Sequence, residues 1–162
     1  MKLKIDKKRR REYKTNYKKR LSLLKGDYLR FIVRKTNRYI ILQIIESKGA
    51  LDKILYSANT KELLKYGWPK NKEGSLKSIT AAYFGGFLLG KKSKGLKLKV
   101  ILDSGLIPNT KGSKVYAAVK GLSDSGVEIK YDKKVLPSEE RIKGKDIKLD
   151  LETFNKIMGG IK

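Results

Sequence analysis

The residues best equipped for chemistry in this chain are cations crowded near its start. Lys7-Lys8-Arg9-Arg10-Arg11-Glu12-Tyr13-Lys14-Thr15-Asn16-Tyr17-Lys18-Lys19-Arg20 holds nine Lys or Arg in fourteen positions. Ammonium and guanidinium groups neutralise phosphates and release the counterions condensed on a nucleic acid. Tyr13 and Tyr17 offer ring faces on which unpaired bases stack, each worth roughly 1–3 kcal/mol. A tail kept only for solubility has no use for them.

Arginine usage extends this surface. Seven of the eight arginines (Arg9, Arg10, Arg11, Arg20, Arg30, Arg34 and Arg38) fall within the first 38 positions, and lysine dominates elsewhere. The planar guanidinium fork suits phosphates and guanine edges. Arg30, Arg34, Lys35, Asn37 and Arg38 therefore join the predicted interface. The ordinary alternative puts Arg30 and Arg34 on the solvent face of a strand. A second candidate is the loop from Asp103 to Lys114, which follows a strand and opens a helix. Its backbone N–H groups could receive a phosphate, with Lys111 and Lys114 adding charge and Gly105 and Gly112 permitting close approach. The ordinary alternative is a connection capped by Thr110 or Ser113.

Several chemistries drop out. The chain has no Cys and no His, which removes disulfides, Cys-ligated zinc, thiol catalysis and the commonest general base. Gly85-Gly86-Phe87-Leu88-Leu89-Gly90-Lys91-Lys92 imitates a phosphate-binding loop, but Lys92 replaces the required Ser or Thr and the stretch falls late in a predicted helix. Asp103 at a strand end suggests a metal-dependent nuclease, yet no further carboxylates converge on it. No catalytic residue, metal site, cofactor or small-molecule substrate is expected.

A net charge of +24 over 162 residues repels itself and asks for a polyanionic partner, nucleic acid before any membrane surface. The apolar runs Tyr39–Ile45 and Ala81–Leu89 are too short to span a bilayer, and the N-terminus lacks a signal core. A soluble protein of the cytoplasm, without a membrane partner, is expected.

The elements that must position these residues read as an α/β fold: a mixed β-sheet packed with helices, a basic N-terminal arm and a helical C-terminal appendage. Residues 1–25 carry 12 Lys or Arg against Asp6 and Glu12, bury no core and predict an arm that orders on its partner. Residues 26–134 predict the core domain, and hydrophobic residues at 40% of the chain suffice to fill it. Alternation at Leu29, Phe31 and Val33, the run Tyr39–Ile45, and Lys53–Ala58 predict three strands. A short helix capped by Asn59 or Thr60 ends at Gly67. A helix over 75–92 carries Leu76, Ile79, Tyr83 and Phe87 on one stripe, with Gly85 and Gly86 admitting another backbone. Gly95 closes that region, and a strand over 98–102 follows. A helix over 111–125 turns Val115, Ala118, Val119 and Leu122 inward, and Val127, Ile129 and Tyr131 alternate as a last strand. Residues 135–162 predict an appendage with helices over 138–141 and 150–158.

Several stretches in order resemble the archaeal and eukaryotic branch of large-subunit ribosomal protein family eighteen, the 5S-rRNA-binding protein of the central protuberance. They are 9–17 (Arg9-Arg10-Arg11-Glu12-Tyr13-Lys14-Thr15-Asn16-Tyr17), 33–44 (Val33-Arg34-Lys35-Thr36-Asn37-Arg38 onward) and 62–68. Ala81-Ala82-Tyr83, Asp103-Ser104-Gly105-Leu106, 110–121 (Thr110-Lys111-Gly112-Ser113-Lys114 onward) and Leu136-Pro137-Ser138-Glu139-Glu140-Arg141-Ile142 complete the set. The chain departs from the family at Lys130-Tyr131-Asp132, where Pro-His-Ser is usual, and at Thr80, where Pro is usual. The resemblance implies a non-catalytic constituent of the large ribosomal subunit that binds 5S rRNA and large-subunit rRNA beside other central-protuberance proteins. It implies that 7–20 threads rRNA and that the hairpin at Arg34 to Arg38 contacts it. Composition alone also admits a basic DNA-coating architectural protein.

Overall fold

Alternating β-branched and apolar residues lay down the sheet on which everything else is mounted. In the computed structural model, which describes residues 5–26, 28–49, 51–94 and 99–161, four strands lie in the order β3-β2-β1-β4. They are β1 (Leu29–Lys35), β2 (Ile40–Lys48), β3 (Leu51–Asn59) and β4 (Val100–Asp103). The first three run antiparallel in sequence, while β4 lies parallel to β1, so the sheet is mixed as expected. Thr36 closes the β1–β2 turn: its hydroxyl accepts from the Tyr39 N–H at 2.9 Å and donates to the Tyr39 carbonyl. Side chains alternate across a strand. The β1–β2 register thus puts Phe31, Val33, Leu42 and Ile44 on the core face, and Arg30, Ile32, Arg34, Ile41, Gln43 and Ile45 on the other.

Two long helices cover the core face. Helix α3 (Ile79–Lys92) starts four residues later than its apolar pattern predicts, because Lys70–Ser75 forms a separate 3₁₀ turn and Ser78 caps α3 by accepting the Ala81 N–H. Every residue from Ile79 to Gly90 is buried, so α3 is an enclosed core helix rather than one with a single buried stripe. The phosphate-loop lookalike lies within it. Helix α4 (Lys114–Asp124) starts three residues after Lys111, which stays in the preceding loop. Val115, Ala118, Val119 and Leu122 are buried as predicted. The two helices meet backbone to backbone: a Cβ on Gly86 would stand 2.1 Å from the Ala118 carbonyl oxygen, and one on Gly121 would stand 2.0 Å from that of Tyr83.

Other elements differ from expectation. Val127 to Tyr131 makes no strand; a single parallel bridge joins Ile129 to Val100 at the start of β4. Leu98 and Gly95 lie outside the described residues, as do positions 1–4 of the arm. Thr60–Tyr66 is helical but 3₁₀, fixed by an Asn59–Glu62 capping box and ended by Gly67 at φ +94°. The arm holds two short helices, α1 (Lys8–Arg11) and α2 (Tyr17–Leu24), neither with a buried residue. At the other end, α5 (Glu139–Ile142) is followed by α6 (Leu151–Ile161). Phe154 of α6 lies 4.7 Å, centroid to centroid, from Phe84, and Ile157 and Ile161 join the core.

The α3–α4 contact leaves no space for a methyl group, so Gly121→Ala is expected to lower stability by about 1–3 kcal/mol. Gly159→Ala, on α6 with nothing within 4 Å of the added carbon, should instead raise it by about 0.5 kcal/mol. Urea unfolding midpoints at unchanged slope check both.

Candidate nucleic-acid interface

The basic arm is held against the sheet's outer face by a few specific bonds. Asn16 starts α2 by accepting the Lys19 N–H at 3.0 Å. Lys19 Nζ then donates to Ser104 Oγ at 2.8 Å and to the Gly105 carbonyl at 3.2 Å, and Arg20 meets Asp52 at 2.9 Å. These ties leave a groove of about 500 Å³ between arm and sheet, with Arg9, Lys14, Lys19 and Arg20 on one wall and Arg34 and Lys35 on the other. Lys7, Lys8, Arg10, Arg11 and Lys18 are exposed on the arm. Arg10 pairs with Asp6 at 3.4 Å and Lys14 with Glu12 at 2.9 Å, while Arg9 Nε donates to Thr15 Oγ1. Such exposed pairs are worth at most about 1 kcal/mol, so a phosphate can take their place. Tyr17 is half-buried, with Lys7 Nζ 4.8 Å above its ring, whereas Tyr13 is open to solvent.

Arg30 corrects the expectation that it presents its fork on the surface. It is 2% exposed. Nη1 donates to Asp103 Oδ2 at 2.8 Å, Nη2 to Asp52 Oδ1 at 2.7 Å, and Ser47 Oγ accepts from both Nε and Nη2. The register explains this. Asp103 on β4 and Asp52 on β3 flank the same sheet face, and the guanidinium spans the gap between them. Asp103 is committed in turn, since its Oδ1 accepts the Gly105 N–H at 2.9 Å. It shapes the loop and pairs with Arg30 rather than converging with other carboxylates on a metal. Burial would raise the Asp52 carboxyl, but hydrogen bonds from Ser47, Arg30 and Arg20, with the Arg30 charge, outweigh it and hold the group below its usual value.

A second cationic patch forms where β1 ends. Arg34, Lys35, Asn37 and Arg38 are all exposed, and a shallow cleft joins Asn37 and Arg38 to Tyr39, Glu73 and Lys77. Lys114, in the first turn of α4, feels both Lys35 and Lys77: burial, then repulsion from these two, holds its ammonium below the usual lysine value. Lys111 is exposed in the loop. The Gly112 N–H donates to the Val135 carbonyl, so the loop's backbone is partly committed within the protein. Ser113 sits at the N-cap of α4 without capping it, and its buried hydroxyl has no hydrogen-bond partner among the described residues. The fold therefore gathers arm, β1 end and α4 start on one side, although they lie far apart in sequence. Asp52, Lys77 and Leu106 are the participants that sequence reasoning missed. Only the closure of the sheet brings Asp52 to Arg30, and Lys77 is one lysine among many.

Residues 1–95 and 92–132 match the family described as ribosomal large subunit proteins 60S L5 and 50S L18. The chain belongs to this family. It is 46% identical over 145 residues to the large ribosomal subunit protein uL18 of Korarchaeum cryptofilum, covering 89% of this chain and 72% of that protein. The uL18 of Methanoregula boonei is 44% identical over 140 residues, covering 86% and 78%. That of Methanosphaera stadtmanae is 41% identical over 146 residues, covering 89% and 73%. The resemblance carried by the motifs is borne out. As a member of this ribosomal protein family the chain is a structural component, not an enzyme, and belongs to the cytoplasmic ribosome. Ribosomal RNA and other ribosomal proteins are its implied surroundings.

In this ribosomal protein Arg30 neutralises two carboxylates, Asp52 and Asp103, on the outer face of the sheet. Because the folded-state pKa of Asp52 is depressed, its stabilising effect is present above the unfolded carboxylate range and is lost as pH falls through the lower folded value. Asp52→Asn should cost about 1–3 kcal/mol near neutral pH and flatten the acid limb of the stability curve. Urea unfolding at a series of pH values reads both effects.

Proposed function

We propose that this protein binds 5S rRNA and anchors it to large-subunit rRNA in the central protuberance, beside neighbouring ribosomal proteins of that region. One observation carries the reading. Cations from the arm and from the end of β1 face a common groove whose two carboxylates, Asp52 and Asp103, are already neutralised by Arg30 and Arg20. The groove thus offers unopposed positive charge along a defined path, which fits a sugar–phosphate backbone read by position and shape. In this reading residues 1–25 are the RNA-binding arm, 26–134 the core domain that carries it, and 135–162 an appendage packed on that core. Lys7, Lys8, Arg9, Arg10, Arg11, Lys14, Lys18, Lys19 and Arg20 supply the arm's charge. Arg34, Lys35, Arg38, Lys111 and Lys114 extend that charge, and Asn37 adds a neutral hydrogen-bonding amide. Arg30 serves the site from within.

Binding to isolated 5S rRNA should then be tight and strongly salt-dependent. With 6–10 phosphate contacts, affinity falls roughly 10³–10⁵-fold between 50 and 200 mM salt. Replacing the exposed Arg9, Arg11 and Lys18 together by Gln should weaken binding and lower the slope of log affinity against log salt by about 0.7–0.9 for each phosphate that is no longer neutralised. Filter binding or fluorescence anisotropy measures both. Equal affinity for 5S rRNA and an unrelated DNA or RNA duplex overturns the assignment and favours a general nucleic-acid coat.

A further inference from the structure

We infer that the cleft between the arm and the β4–α4 loop seats one unstacked nucleobase of the bound RNA, with Tyr13 and Leu106 as its apolar walls. This rests on the rRNA-binding reading above and adds a site to it.

Tyr13 is a backbone outlier. Its φ is +51°, in the left-handed region that a bulky side chain seldom occupies, and the residue is 87% exposed. The chain is held there by bonds from the Tyr13 N–H to the Arg10 carbonyl and from the Lys14 N–H to that of Arg9. Strain kept at an exposed aromatic returns no burial within the protein, and such strain concentrates at binding sites. Leu106 is the counterpart: it is 54% exposed, yet stands on a tightly built loop. Gly105 turns at φ +56°, Asp103 accepts the Gly105 N–H, and buried Ser104 accepts from Lys19 while facing Asn109 at 3.2 Å. The Lys19 bond makes arm and loop one unit, so Tyr13 and Leu106 line the same cleft of about 380 Å³.

The rim chooses the occupant. Arg10 and Lys18 border the cleft, and among the described residues no carboxylate lines it. Asn16 Oδ1 and Thr15 Oγ1 already accept hydrogen bonds, from the Lys19 N–H and Arg9 Nε. A flat apolar face linked to an anion matches walls and rim together, and a nucleotide has both. Tyr17 is not the free stacking face, because Lys7 stands over its ring. Among the described residues no cation or second aromatic ring packs on Tyr13.

The test uses the full chain and isolated 5S rRNA across a salt series. Tyr13→Ala should weaken binding by about 5- to 150-fold, the loss expected for one stacked base, and Leu106→Ala should weaken it by a smaller factor. Each factor should be the same at every salt concentration, because no phosphate contact is removed. Tyr13→Trp should bind like the parent. Tyr13→Gly, which suits the left-handed backbone, should lose as much as Tyr13→Ala while melting no lower than the parent, separating loss of the ring from misfolding. The double variant should lose less than the product of the single losses, since both walls hold one base. Parental affinity in Tyr13→Gly and Leu106→Ala overturns the base seat while leaving the rRNA reading intact. A loss accompanied by a reduced salt slope overturns it too, because Tyr13 would then be holding cations in place. A parent chain that does not prefer 5S rRNA defeats the underlying reading instead.

Discussion

The outer face of the sheet is organised by one buried guanidinium. Arg30 spans from Asp103 on β4 to Asp52 on β3, tying both edges of the sheet to β1, one of the two strands between them. A buried charge is costly to desolvate and is tolerated where its hydrogen-bonding capacity is used. Here Nε, Nη1 and Nη2 all find acceptors. The arrangement reaches further, because Asp52 also receives Arg20 and Asp103 also shapes the loop that Lys19 grips. Arm, sheet and β4–α4 loop are thereby coupled through two carboxylates. Remove the central cation and Asp103 loses its ion pair with Arg30 while Asp52 keeps only that with Arg20.

That coupling answers a problem set by composition. A net charge of +24 stores repulsion in the folded chain, and most of the surplus stands outside the core. The core resists by being dense: α3 is buried on every side and meets α4 through glycines that admit a carbonyl at contact distance. Dispersion and apolar burial over this contact oppose the field of the surface lysines. Lys35, Lys77 and Lys114 come together with no carboxylate ion pair among the described residues, so a phosphate placed beside them would relieve the repulsion they impose on one another.

How much of this the sequence discloses depends on whether the deciding contact is local. Strand β1 follows from alternation, β2 from its β-branched run and β3 from the turn before it, and Asn59 and Gly67 announce the ends of their short helix, because those signals act within a few residues. The apolar pattern misplaces the start of α3 because Ser75 and Ser78 are equally plausible caps until the intervening turn is seen. Helices α1 and α2 escape it altogether: they bury nothing, so no apolar period marks them. Bonds to its near neighbours Asp6 and Thr15 hold α1, while the Asn16 cap and tethers to distant Ser104 and Asp52 hold α2. Arg30 misleads for the same reason. On a strand read alone it belongs to the solvent face, and only the parallel addition of β4, some seventy residues later, supplies the second carboxylate that draws it inward. Of the interface, the cationic arm and the hairpin end are legible from residue type. Leu106 and Lys77 are not, since their roles arise from where the loop and the turn before α3 come to lie.

A basic segment that is wholly unstructured before binding must lose its backbone freedom on the partner, and that cost is subtracted from the affinity its charges could give. In this protein part of the ordering is done beforehand. Asn16 caps α2, Lys19 and Arg20 fasten it to the loop and to Asp52, and the cations of Arg9, Lys14 and Arg34 already face a common groove. The fastening bonds are exposed or half-exposed and individually weak, so the arm can adjust to an irregular RNA surface at small cost. The buried Arg30 cluster beneath them keeps that adjustment from spreading into the sheet. On the rRNA-binding reading proposed above, rigid support under a lightly tethered cationic arm would favour a partner whose phosphates follow one particular folded path over a uniform duplex that any array of lysines could coat.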